Sequence, residues 1–137
     1  MNSRQGVASL LGSLRVVLAI SLGAIPGALC RYYITLGFEQ WLETVFPFGT
    51  FVINLSGAFL MGFFTSLALQ RSMISPELRL IIAVGFLGSY TTFSTYELDS
   101  EKLLTASQWQ MPLYWIGSPL LGVLCLELGS YLGRRVL

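Results

Sequence analysis

Four runs of mostly apolar residues divide this chain, at about 15–38, 48–69, 78–96 and 111–132. A membrane helix needs about 20 such residues. In hydrocarbon each backbone N–H and C=O must find its partner inside the segment or across a closed barrel. Runs of this length therefore predict helices. Only short polar pieces separate them, at 39–47, 70–77 and 97–110. The composition agrees: 54% of the 137 residues are hydrophobic and 11% are charged, against about 25% charged in a soluble domain. The expected fold is one all-α membrane domain, 1–137, crossing the bilayer four times. It carries no sequence repeat and no low-complexity tract.

Several functions are excluded at this stage. The net charge of +1 points to no nucleic-acid partner. There is no histidine, which removes the commonest acid–base catalyst and metal ligand. No Ser/Lys pair lies within a helix and no carboxylates pair inside the apolar runs, so an intramembrane enzyme is not expected. Cys30 and Cys125 lie in apolar runs without metal spacing and are expected to pack as small hydrophobes. The first apolar run is too long for a cleaved leader and leads into an arginine rather than a small-residue site. The first 14 residues read as a short polar, amphipathic lead-in.

The informative residues are the polar and small ones inside the runs. In the first, Ala19, Gly23, Gly27 and Arg31 fall four apart, on one face. The glycines read as close helix packing. Arg31 lies several residues inside the run on that same face, so it should point into protein or water. In the second run Asn54 carries an amide that must be hydrogen-bonded. It serves either as interhelical glue or as a donor to a passing anion. The third run contains Gly85-Phe86-Leu87-Gly88-Ser89-Tyr90-Thr91-Thr92-Phe93-Ser94-Thr95-Tyr96, rich in glycine and hydroxyls. Such a stretch either breaks the helix or lines a path. Ser75 and Pro76 are a plausible N-cap and first residue for that helix. In the fourth run Tyr114, Ser118 and Gly122 are four apart, Pro119 should bend the helix, and Glu127 is a carboxylate well inside the run.

Four crossings put both chain ends on one side, with Arg4, Arg15, Arg71, Arg79, Arg134 and Arg135. The other side has Lys102 together with Glu39, Glu43, Glu97, Asp99 and Glu101. The positive-inside rule places the termini in the cytoplasm.

Gly27-Ala28-x-x-Arg31-Tyr32, Gly49-Thr50-x-x-x-Asn54, Gly85-Phe86-x-Gly88 and Thr91-Thr92-Phe93-Ser94-Thr95-Tyr96 together resemble the CrcB/Fluc family of fluoride channels. The resemblance covers nearly the whole chain. It implies an antiparallel, dual-topology dimer in the cell membrane with two fluoride paths and passive efflux. It also implies a helix three broken near Gly88–Thr91, whose backbone carbonyls at Gly88 and Thr91 would hold a structural sodium ion. The fluoride path would draw on Asn54, Phe93, Ser94, Thr95, Tyr96, Tyr114 and Ser118, with Arg31 in the vestibule. Tyr96 stands where the family usually has a second phenylalanine, and Gly122 where a further hydroxyl often appears. The positive charges are lopsided for a chain that must insert both ways. Either the bias is overridden in a homodimer, or the partner is an oppositely oriented homologue.

The chemistry is coherent. Fluoride is strongly hydrated, so a path must supply neutral donors in place of water. Aromatic rings offer a positive edge. Fixed cations in the narrow region would hold an anion too tightly for it to leave. The alternative is a small antiparallel multidrug or cation transporter. That reading needs a carboxylate in helix one, where this chain has Arg31 and no acid.

Overall fold

The computed structural model describes residues 3–70 and 74–136, with side chains described from Leu11 onward. Arg71 and the side chain of Arg4, both counted in the positive set, lie outside the described residues. The chain forms α1 (Ser3–Trp41), α2 (Phe48–Gln70), α3 (Pro76–Arg79), a π-helical segment (Leu80–Leu87), α4 (Gly88–Tyr90), α5 (Phe93–Ala106) and α6 (Gln110–Arg135). α3 through α5 make one interrupted span, so four helical spans result: Leu11–Trp41, Phe48–Gln70, Pro76–Ala106 and Gln110–Arg135. This is an all-α, multi-pass membrane protein.

Three boundaries differ from the hydropathy reading. The lead-in is helical from Ser3 and continuous with the first span. Helix three starts at Pro76, where Ser75 accepts from the Leu78 N–H at 3.1 Å, the cap expected from sequence. Its distal half runs ten residues past Tyr96, to Ala106. Polar residues there suggested a loop, but Tyr96, Asp99, Ser100 and Leu103 bury one face of a helix. Hydropathy averages over that face and misses it.

Close packing comes from glycine. A Cβ on Gly23 or Gly27 would strike the backbone of Ile81 or Phe86, so α1 lies directly against the π-helical segment. A Cβ on Gly62 would strike the Leu126 carbonyl, and one on Gly129 the Phe59 carbonyl, so α2 and α6 touch backbone to backbone. Lipid tails are as apolar as leucine, so association in the bilayer rests on this contact rather than on hydrophobic burial. Ala19, Gly23 and Gly27 are buried and Arg31 half-buried along the expected face.

The expected interruption near Gly88–Thr91 is present and is centred on Thr91 and Thr92. Thr91 has φ −78° and ψ 155°. Thr92 has φ −148° and ψ 120°. Gly88 itself is helical, with φ −65° and ψ −29°. The preceding π-helical turns are a feature that recurs beside functional sites. Thr92 then restarts the helix, accepting from the Thr95 N–H at 3.3 Å as the N-cap of α5.

Candidate functional site: a polar break facing a cavity

The break frees backbone groups at membrane depth, and Asn54 of α2 answers two of them. Its Nδ2 donates to the Thr92 carbonyl at 3.0 Å, and its Oδ1 accepts the Thr92 N–H at 2.8 Å. One Asn54 N–H remains. The amide is therefore both interhelical glue and a donor with capacity to spare. The Thr92 N–H would have been the i+4 partner of the Gly88 carbonyl, so that carbonyl loses its helical bond. Thr91 Oγ1 donates back to the Leu87 carbonyl at 3.1 Å.

Beside the break lies a cavity of about 260 Å³ lined by Asn54, Thr91, Thr92, Phe93, Tyr96 and Ser118, with Pro119 and Gly122 closing one wall. No charged residue lines it. Four of the seven residues expected on the path, Asn54, Phe93, Tyr96 and Ser118, thus share one lining. Phe93 is 73% exposed, on the outer rim, whereas Tyr96 is buried. Thr95 instead lines a neighbouring cavity with Thr50, Asp99 and Lys102. Ser94 is exposed, with its Oγ 3.4 Å from Thr92 Oγ1. Tyr114 is fully buried, and its ring lies 5.3 Å from that of Tyr96. The Phe93 and Tyr96 rings are 5.7 Å apart, and Phe46 meets Tyr114 edge-on at 5.4 Å. A run of rings therefore leads from the break toward the 39–47 connection.

Pro119 shapes this site in an unexpected way. α6 continues through it as one helix. A proline has no N–H, so the Trp115 carbonyl four residues earlier loses its helical donor. The Tyr96 hydroxyl supplies one instead, donating to Trp115 O. That hydroxyl is committed to the backbone, and what Tyr96 presents to the cavity is its ring. Ser118 Oγ is buried without a partner, and Tyr114 Oη, beside the Thr50 side chain, makes no hydrogen bond of regular geometry. Buried polar atoms are nearly always hydrogen-bonded, and the Ser118 hydroxyl, which lines the cavity, keeps its bonding capacity free there.

The matching family model is described as CrcB-like protein, Camphor Resistance (CrcB), and covers residues 18–130. The chain belongs to the CrcB family. Curated members similar to it carry the name fluoride-specific ion channel FluC. One from Synechococcus sp. is 54% identical over 123 residues, 89% of this chain and 95% of that one. One from Trichormus variabilis is 54% identical over 124 residues, 89% and 90% of the two chains. One from Synechocystis sp. is 50% identical over 125 residues, 90% and 96%. The CrcB match spans the break, the cavity and all the expected site residues.

Two features of this CrcB chain escaped the sequence reading. Thr50 Oγ1 donates to Asp99 Oδ2 at 2.6 Å, both residues being buried, and Lys102 Nζ stands 3.6 Å from Asp99 Oδ1. Asp99 falls in the polar stretch 97–110 that hydropathy reads as a connection. Its spacing of three from Tyr96, on the buried face of α5, was the available signal. Gln110, the last residue of that stretch, opens α6. Arg31 makes no ion pair among the described residues and is absent from the cavity lining. Glu127 faces outward among exposed Val123, Leu124 and Leu128 and takes no part in the cavity.

Proposed function

We propose that this CrcB protein is a fluoride-selective channel of the cell membrane that lowers cytoplasmic fluoride by passive efflux. No bond is made or broken in its action. The observation that carries the reading is the uncharged cavity at the broken helix. There an amide N–H, an unpartnered Ser118 hydroxyl and aromatic rings converge without a fixed cation. Neutral donors replace the water of a small anion without trapping it, and ring edges favour anions over cations. The names of the curated relatives agree with this choice of ion.

The working unit is an antiparallel pair with two paths. Gly88 supports it: the residue is exposed at membrane depth, and lipid offers no partner to a free carbonyl. A second copy, or an oppositely oriented homologue, does. The carbonyls of Gly88 and Thr91 from two such chains would hold a sodium ion. The Gly88 carbonyl, deprived of the Thr92 N–H, fits a hard cation that takes oxygen ligands. The ion is structural; it supplies positive charge beside the paths and is not transported. Arg31, half-buried on the glycine face, is assigned to the vestibule that leads to this region.

The protein purified alone and placed in liposomes should release fluoride and retain chloride. Comparable chloride release would sink the selectivity, and no fluoride release would leave a second homologue as the required partner, testable by co-expression. Replacing sodium with a large organic cation should weaken assembly and flux together; indifference removes the sodium site.

A further inference from the structure

We propose that Gln110 is a further ion-contacting residue, the outermost donor of the fluoride path at the end of the bundle away from the termini. The inference rests on the channel reading above. Among the described residues, three buried side-chain atoms have no hydrogen-bond partner: Gln110 Oε1, Tyr114 Oη and Ser118 Oγ. They stand at i, i+4 and i+8 on α6 and so share one face, over about 12 Å of helix. All three lie on the inward face of α6, shielded from bulk water. The two hydroxyls can donate to an anion, whereas the Gln110 oxygen can only accept, so its amide must turn to join them.

Gln110 lines a cavity of about 290 Å³ with Thr44, Phe46, Phe51, Trp109 and Leu113. Phe46 and Phe51 are also the rings packed on Tyr114, at 5.4 and 6.4 Å. Tyr114 lines neither cavity, but its ring packs on Phe46 and Phe51 of this one and on Tyr96 of the one at the break. The lining is again neutral and aromatic. The adjoining cavity, by contrast, is lined by the charged residues Glu39, Asp99 and Lys102.

An unpartnered acceptor is the wrong group to offer an anion, but the two ends of a primary amide are nearly isosteric. A half-turn about the last side-chain bond brings Nε2 and its two N–H donors to the buried position. An anion arriving from Tyr114 thus meets a donor at each turn of α6. The same amide can accept from water at the mouth, which suits a residue where the ion regains its hydration.

The test is fluoride efflux from liposomes holding purified variants, with assembly followed by size-exclusion chromatography and thermal unfolding. Gln110→Leu fills the same volume without donors in an apolar cavity. A purely structural glutamine predicts unchanged flux. The proposal expects an intact, equally or more heat-stable protein with flux reduced about tenfold or more, the scale of one lost buried hydrogen bond. Gln110→Asn should recover part of the flux, and isosteric Gln110→Glu should lose most of it. If Gln110→Leu does not assemble, Gln110→Glu decides, since its shape is unchanged. Flux within twofold of wild type in whichever variant assembles would overturn the proposal. Wild-type protein that passes no fluoride would instead overturn the channel reading on which it rests.

Discussion

The Tyr96 hydroxyl donates to the Trp115 carbonyl, the one backbone acceptor that Pro119 leaves without a helical N–H. Two residues that depart from regular patterns, a tyrosine among the expected phenylalanines and a proline inside a span, thus complete each other across α5 and α6. The bond also ties the path-lining face of α5 to the helix that carries the hydroxyl row.

This pairing has a measurable signature. Tyr96→Phe should cost about 1 kcal/mol of stability and reduce flux less than tenfold, because the ring remains. In a Pro119→Ala background the residue-119 N–H can take the Trp115 carbonyl, so Tyr96→Phe should cost less there. A four-variant thermal unfolding cycle reads the coupling. Equal costs in both backgrounds would refute the link.

Asn54 has two tasks, and substitutions separate them. Asn54→Ala removes both bonds to Thr92 and should destabilise the protein by about 1–3 kcal/mol. Asn54→Asp still accepts the Thr92 N–H but cannot donate to the Thr92 carbonyl, and it adds negative charge to the cavity. Fluoride efflux should then fall at least a hundredfold, more than its stability loss explains. Normal efflux through Asn54→Asp would remove this residue from the path.

Thr50 and Asp99 should respond unequally. Thr50→Val leaves a buried carboxylate oxygen without its hydroxyl donor, at a cost of about 1–3 kcal/mol. Asp99→Asn keeps an acceptor for Thr50 and removes a buried charge, so it should cost less. Unfolding midpoints give the order, and the reverse order would contradict the hydrogen-bonded geometry.

Gly122 and Gly129 sit two turns apart on α6 and should behave oppositely. A Cβ on Gly122 meets nothing within 4 Å, and the residue lines the cavity. Gly122→Ser should assemble normally, gain a few tenths of a kcal/mol in helix propensity, and conduct fluoride at least as well. A Cβ on Gly129 enters the Phe59 carbonyl. Gly129→Ser should therefore pry α2 from α6 and abolish assembly, visible as loss of the folded peak in chromatography.

What could be read from the residues alone follows how each force is encoded. Burial in lipid is a one-dimensional property, so four spans, their order and the break in the third were legible, as was the capped start at Ser75 and Pro76. Small residues four apart on the first span announced a close contact, and the structure places it against the backbone of Ile81 and Phe86. The bulk of the cavity lining was also legible, because Asn54 and the hydroxyl-rich stretch are costly in hydrocarbon and so stand out.

Pairwise chemistry across helices was not legible. The helical extension to Ala106 was hidden because its polar residues lower the hydropathy while one narrow face is buried. Asp99 acquires its meaning from Thr50, forty-nine positions earlier. Tyr96 acquires its from a carbonyl orphaned by Pro119. Gln110 joins Tyr114 and Ser118 only once α6 is known to begin with it. The sequence determined how often the chain crosses a membrane and which polar residues it must satisfy there. The tertiary structure alone decided which donor meets which acceptor, because hydrogen bonds act over about 3 Å and only the packing of helices brings distant residues that close.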